Sequence, residues 1–343
     1  MIAYKYRSGR GTKDNEGKDV FERDIDLLSK DTIYIPTVSQ LNDPAEAFVD
    51  DSIFKTQLML FKRLGGVKNS IELVEDSYRK LYEIIKASGI YSLSKICDNE
   101  LMWSYYASGH TGYAIIFDTD ILARSFGNGN WGGMYELDVS YSNKLPRFDI
   151  TRIEEKDITK TLICFIGNKS KAWKHEKEHR LVFDKGGKKL KIDYRAIKGF
   201  VFGCRMDENE IDYVMKTFKG RNLEYYKMEL REDSYKLLLK VLVDRYPTKK
   251  KYSPNNVKYD IEELLEKDKF IEGVGYGYRS FVEEALSQVS REPFVTEIYQ
   301  ILVTDDRQFP HILIWTYIQQ DGNFRPVRSF EYDIIDGRLA RSM

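Results

Sequence analysis

Cysteine, proline and long apolar runs are what this chain is short of, and each shortage narrows its function. Cys97, Cys164 and Cys204 are the only cysteines in 343 residues. An odd number of widely spaced thiols argues against a disulfide scaffold or a cysteine zinc site and fits reduced thiols. No stretch approaches the roughly 18 consecutive apolar residues of a transmembrane helix, and the opening Met-Ile-Ala-Tyr-Lys-Tyr-Arg lacks the pattern of a secretory signal. A cytoplasmic protein with no membrane partner is therefore expected. Charge of one sign is missing too: Lys plus Arg and Asp plus Glu both total 54, so no global basic field draws the chain to nucleic acid or anionic lipid. The glycine-rich stretch 127–133 lacks the spacing and the Lys-Ser/Thr of a P-loop, and it reads as a plain loop.

What the chain has in quantity is charge, at 31%, and aromatic rings, with 24 Tyr and 18 Phe. The rings serve first as core packing and β-surface cover, with stacking against a base or nicotinamide as the functional alternative. The length predicts two domains. A basic, proline-containing segment at 246–251 marks the boundary, giving domains 1–245 and 246–343.

Pattern and turn chemistry predict an α+β first domain with many short strands. Strands are expected at 4–7, 33–36, 89–94, 112–118, 137–141, 197–203 and 223–230. Helices are expected at 20–29, within 54–87, at 100–107, 153–168 and 208–219. Asp43-Pro44 reads as a cap and first turn opening a helix at Leu41-Asn42-Asp43-Pro44-Ala45-Glu46. In the second domain, 261–267 and 278–289 read as helices, and 311–319 with 324–335 as strands paired around Asp321-Gly322.

Residues 171–183, KAWKHEKEHRLVF, hold two incompatible motifs. Read as helix, His175-Glu176-x-x-His179 sets two imidazoles on one face around a glutamate, the arrangement of a zinc-dependent hydrolase. Read as strand, Glu176, Glu178 and Arg180 share one face, and His175, His179 and Leu181 share the other. The strand is favoured: Leu181-Val182-Phe183 is β-forming, Asp184 to Gly187 is a turn signal, and Leu190 to Tyr194 follows as the second arm of a hairpin. A zinc helix would bury the residues between its histidines, and here they are Lys177 and Glu178. No metal is expected.

Four segments, YKYR (4–7), LNDPAE (41–46), SLSKICDNELMWSYYASGHTGYAIIFD (92–118) and KSKAWKHEKEHRLVF (169–183), together resemble a large bacterial family known as domain of unknown function 2971. The resemblance covers residues 1 to about 235. At pattern level the arrangement is also similar to the ADP-ribosyltransferases. That likeness implies a small split β-sheet core with inserted helices; the C-terminal domain, outside the resemblance, reads from its own pattern as a smaller α+β unit. The likeness also implies NAD as substrate, with an Arg or His on the first strand, a Ser or Tyr on a middle strand and a Glu on a late strand, often in a Glu-x-Glu pair. Residue by residue these would be Arg7, Ser92 or Ser94, and Glu178 with Glu176.

The chemistry gives each a role. Glu178 would stabilise an oxocarbenium-like state, Glu176 would orient or deprotonate the acceptor, and Arg7 would grip a diphosphate. Ser94 would hold the carboxamide or position Glu178, and Tyr105 or Tyr106 would stack on nicotinamide. Asn42 and the loop residue His110 are further contact candidates. The leading expectation is an enzyme that uses NAD to modify a protein or nucleic acid, as a toxin or phage-defence effector. The alternative is a non-enzymatic sensor or adaptor that binds a nucleotide, nucleic acid or protein.

Overall fold

The structure is a computed structural model and describes residues 1–14, 16–65, 68–126, 134–149, 158–319 and 327–342. The stretch 127–133, the start of the expected 153–168 helix and the Asp321-Gly322 turn lie outside these residues. Two units form, Met1–Lys249 and Lys250–Met343, and both are mixed α and β.

Unit 1 runs β1 (Ile2–Arg7), α1 (Val20–Ser29), β2 (Thr32–Ile35), α2 (Ser52–Arg63), α3 (Lys68–Ala87), β3 (Gly89–Ser94), α4 (Glu100–Tyr106), β4 (Tyr113–Asp118) and α5 (Thr119–Arg124). It continues with β5 (Tyr135–Asp138), β6 (Ser140–Ser142), α6 (Ile158–Ile166), β7 (Asn168–Ser170), β8 (Glu178–Phe183), β9 (Lys188–Lys191), β10 (Ile197–Phe202), α7 (Glu208–Thr217), β11 (Glu224–Leu230) and β12 (Leu237–Leu242). Helix starts follow side-chain caps. Asp19 accepts from the Phe21 and Glu22 amides at α1, and Asn99 from Leu101 and Met102 at α4.

Eight strands join in the order β12-β11-β10-β4-β1-β3-β8-β5. β10 and β11 are parallel, whereas β1 and β4 pair antiparallel along their full length, from Ile2 opposite Asp118 to Arg7 opposite Tyr113. Between β1 and β3 the ladder is almost absent, with Tyr4 opposite Ser94 as the one register pair. The sheet opens there. One face carries the main core, including Phe21, Tyr91, Tyr113, Phe117 and Phe200, while Tyr6, Trp103, Met228 and Ile116 pack in a separate cluster.

Two sequence expectations fail locally. β8 and the following run do not form a hairpin: β8 lies between β3 and β5, and β9 pairs with β2. The turn between them is captured elsewhere, since Gly186 N–H bonds the Ala87 carbonyl and Gly187 N–H that of Ile35. A Cβ at Gly186 would stand 2.7 Å from the Pro36 carbonyl oxygen. Nor does Asp43-Pro44 open a helix. Asp43 accepts from the Ala45 amide in a closed turn, and the next helix begins at Ser52.

Unit 2 contains α8 (Ile261–Phe270), α9 (Arg279–Val289), β13 (Val295–Thr304), β14 (His311–Ile318), β15 (Val327–Ile335) and β16 (Arg338–Arg341). The strands form an antiparallel sheet in sequence order. Leu265, Val282, Leu286 and Val289 of the helices close over Ile301, Val303, Ile314 and Tyr332 of the sheet. No described helix is long and apolar enough to cross a membrane.

Candidate functional site

Where β1 and β3 diverge, a cavity of about 370 Å³ opens, lined by Lys5, Arg7, Asn42, Ser92, Glu176 and Glu178 among others. β1 brings Arg7 to it, and Gly112 lets the strand end close against the next loop: a Cβ there would stand 2.1 Å from the Arg7 carbonyl oxygen. Arg7 Nε faces Asp24 Oδ2 at 3.3 Å. Burial would weaken its charge, but Asp24, Tyr91 and Tyr113 around it raise the guanidinium's pKa.

The decisive stretch is a strand from Glu178 onward and a 3-10 turn, Lys171–Glu176, before it. Lys177 links them in a left-handed conformation, with φ 43°. Glu176 is therefore not on the strand, and both carboxylates reach the cavity by different routes. His175 meets the Tyr105 ring edge-on, and His179 bonds Asp138. They share no helical face, so the spacing a zinc helix needs is not realised.

Glu178 and Glu176 are the centre of a buried charge network. Arg180, fully buried, holds Glu178 through Nε at 2.9 Å and Nη2 at 3.0 Å. The same guanidinium grips both oxygens of Glu46, at 2.6 and 3.0 Å. Lys169 Nζ lies 2.5 Å from Glu176 Oε2 and 3.4 Å from Glu178 Oε2. Tyr106 donates a short hydrogen bond to Glu176 and accepts one from Asn42 at 2.8 Å.

The electrostatics follow from these partners. Burial pushes the Glu178 carboxyl up, but Arg180, Lys169 and the Ser92 hydroxyl outweigh it and hold its pKa down at about 2. Glu46, with burial as the larger influence, is raised. Burial and the Glu176 carboxylate push the Tyr106 phenol well above its ordinary range. The network thus presents ionised carboxylate to a site that also holds Lys5 and Arg7.

Of the residues singled out from sequence, Arg7, Asn42, Ser92, Ser94, Tyr106, Glu176 and Glu178 line this cavity. Ser94 is committed to structure, since its hydroxyl donates to the Glu176 carbonyl at 2.7 Å. Tyr105 is 61% exposed and His110 sits on a loop beside Arg205; neither lines the cavity. Sequence reasoning gave no role to Lys5 or Lys169, and it placed Arg180 on one strand face with Glu176 and Glu178. The signals were present: Lys5 interrupts a strand between Tyr4 and Tyr6, and Lys169 precedes a strongly charged run.

Residues 102–181 match the family described as "Protein of unknown function (DUF2971)". The chain is similar to that family from α4 to β8. The matched segment carries Tyr106, Lys169, Glu176, Glu178 and Arg180, while Lys5, Arg7, Asn42, Glu46 and Ser92 lie before it. No curated protein and no solved structure matches the chain. Among the described residues no group of His, Cys, Asp and Glu is arranged to hold a metal ion.

Proposed function

We propose that unit 1 is an ADP-ribosyltransferase-like, cytoplasmic enzyme that cleaves the nicotinamide–ribose bond of NAD and passes ADP-ribose to a macromolecule or to water. The observation that carries this reading is the meeting of Arg7 from β1, Ser92 from β3 and Glu178 from β8 around one cavity at the opening of the sheet. In the ADP-ribosyltransferase pattern the same three residue types, on strands in the same order, bind and cleave NAD.

The site's chemistry is suited to that reaction. Departure of nicotinamide leaves positive charge on the ribose ring, and an ionised, pre-fixed carboxylate stabilises charge that exists only in the transition state. Glu178 is such a group. Arg7 supplies a planar donor fork to the diphosphate. Tyr106 offers its ring to nicotinamide, Ser92 its hydroxyl to the carboxamide, and Glu176 orients the acceptor. The acceptor is a protein or nucleic acid, in keeping with a toxin or phage-defence effector, and unit 2 selects it or a regulatory partner.

A second reading draws on the Arg180 clamp. Both Glu178 oxygens are engaged by Arg180, as a structural ion pair would be, which favours a sensor that binds a nucleotide without turnover. Isotopically labelled NAD incubated with the protein and cell lysate, beside Glu178→Gln, separates the two. Nicotinamide release or labelling abolished in the variant is expected. Tight NAD binding without release in either protein supports the sensor.

A further inference from the structure

Of the two cavity cations that the proposed NAD chemistry leaves unused, Lys169 is paired with Glu176 and Glu178, which leaves Lys5. It projects from β1 into the sheet opening, where its Nζ donates to the Ser92 carbonyl at 2.7 Å and sits 4.8 Å from the centre of the Tyr91 ring. No carboxylate lies within ion-pair distance of it among the described residues. Arg7 is two residues along the same strand, hence on the same side. We propose that Lys5 is a carbonyl-capturing amine: it forms a reversible imine with an anionic aldehyde or aldose whose negative group rests on Arg7.

The geometry supplies both halves of the recognition. An anion at the Arg7 fork places a carbonyl a few bonds away at the Lys5 amine, inside a cavity large enough for a sugar phosphate or a nucleotide sugar. The groups facing Lys5 are Arg7, Asp24, Tyr91, Glu176 and Glu178. Burial and then the Arg7 charge lower the amine's pKa to about 7, with Glu178, Asp24 and Glu176 opposing. A large fraction is therefore neutral at physiological pH, with its lone pair available.

The step balances without a further reagent. The Nζ lone pair adds to the carbonyl carbon, the amine's two protons pass to the carbonyl oxygen, and water leaves as the C=N bond forms. ADP-ribose, whose terminal ribose opens to an aldehyde, is the member of this class that NAD cleavage would supply. The inference uses the same cavity but does not rest on that cleavage, and it stands if NAD is never turned over.

The test is reductive trapping on the full-length protein. Glyoxylate, an anionic aldehyde, is added with cyanoborohydride, which transfers hydride to the imine carbon and fixes it as a secondary amine. Peptide mass spectrometry then follows each lysine from about pH 6 to about pH 9. Lys5 is expected to be modified at least ~10-fold faster than Lys174 and Lys177 at neutral pH, with its rate levelling off above about pH 7. Excess ADP-ribose should suppress that labelling.

Neutral formaldehyde and an Arg7→Gln variant separate the two parts of the claim. In the wild type, glyoxylate should be preferred over formaldehyde at Lys5, and the variant should lose that preference while still labelling. Lys5 labelling no faster than Lys174 and Lys177 in the folded wild type would overturn the proposal. So would an anion preference that survives in Arg7→Gln.

Discussion

The two units bury charge on different terms. In unit 2 the fully buried Asp268 answers the backbone: it accepts from the Gly275 amide at 2.7 Å and the Val303 amide at 2.8 Å, tying the end of α8 to β13. Every partner is a peptide group that folding would otherwise leave unsatisfied. In unit 1, Glu46, Lys169, Glu176, Glu178 and Arg180 are buried among one another. An apolar cluster of equal volume would be at least as stable, because desolvating charges offsets much of their attraction. Asp268 is explained by the fold, whereas the unit 1 network is surplus to it and borders the cavity lined by Lys5, Arg7, Glu46, Lys169, Glu176 and Glu178. The proposal that unit 1 is the functional half draws on this contrast.

Breaking each kind of burial should expose the difference. Arg180→Met strands Glu46 and Glu178 as buried charges, and should destabilise unit 1 by about 3–5 kcal/mol in urea unfolding. Asp268→Asn keeps the shape but sets an amide donor against a backbone donor. It should lower unit 2 stability by about 1–3 kcal/mol and leave unit 1 stability unchanged. Tyr106→Phe removes one donor from Glu176, which Lys169 still holds, and should destabilise unit 1 by about 1.5 kcal/mol.

Acid sharpens the comparison further. The folded pKa of Glu178 is depressed, so its contribution is present above the ordinary value of 4.5 and is lost as pH falls through about 2. Asp268 has the opposite sign: burial raises its pKa, so its contribution holds below the ordinary value of 3.8 and is lost as pH rises through the folded pKa. Glu46, also raised, opposes Glu178 within unit 1. Urea midpoints measured across this range should therefore show an acid-labile component in unit 1 that Glu178→Gln flattens and Asp268→Asn leaves in place.

How far these features could be read in advance depended on whether their causes were local. β1, β3, β4, α1 and α4 announce themselves through alternation, periodicity and capping residues such as Asp19 and Asn99. β12 and β13 were passed over, because Leu237–Leu242 is apolar on both faces and Val295–Thr304 carries irregular register with β14. The failed β8–β9 hairpin had a sound turn, but its glycines serve the Pro36 segment instead. Arg7, Ser92 and Glu178 could be named from motif chemistry. The pairing of Glu46 with Arg180, 134 residues away, could not be named, because no local signal records it.

The most direct test of the account is the rate of nicotinamide release by the purified protein, with kcat and KM measured for the wild type and Glu178→Gln, and folding verified for both. A fall in kcat of ~10²-fold or more with KM little changed is expected, as for a group that acts on transition-state charge. Equal kcat values in two folded proteins, or no release from either, would contradict a catalytic role for Glu178 and leave the cavity as a binding site.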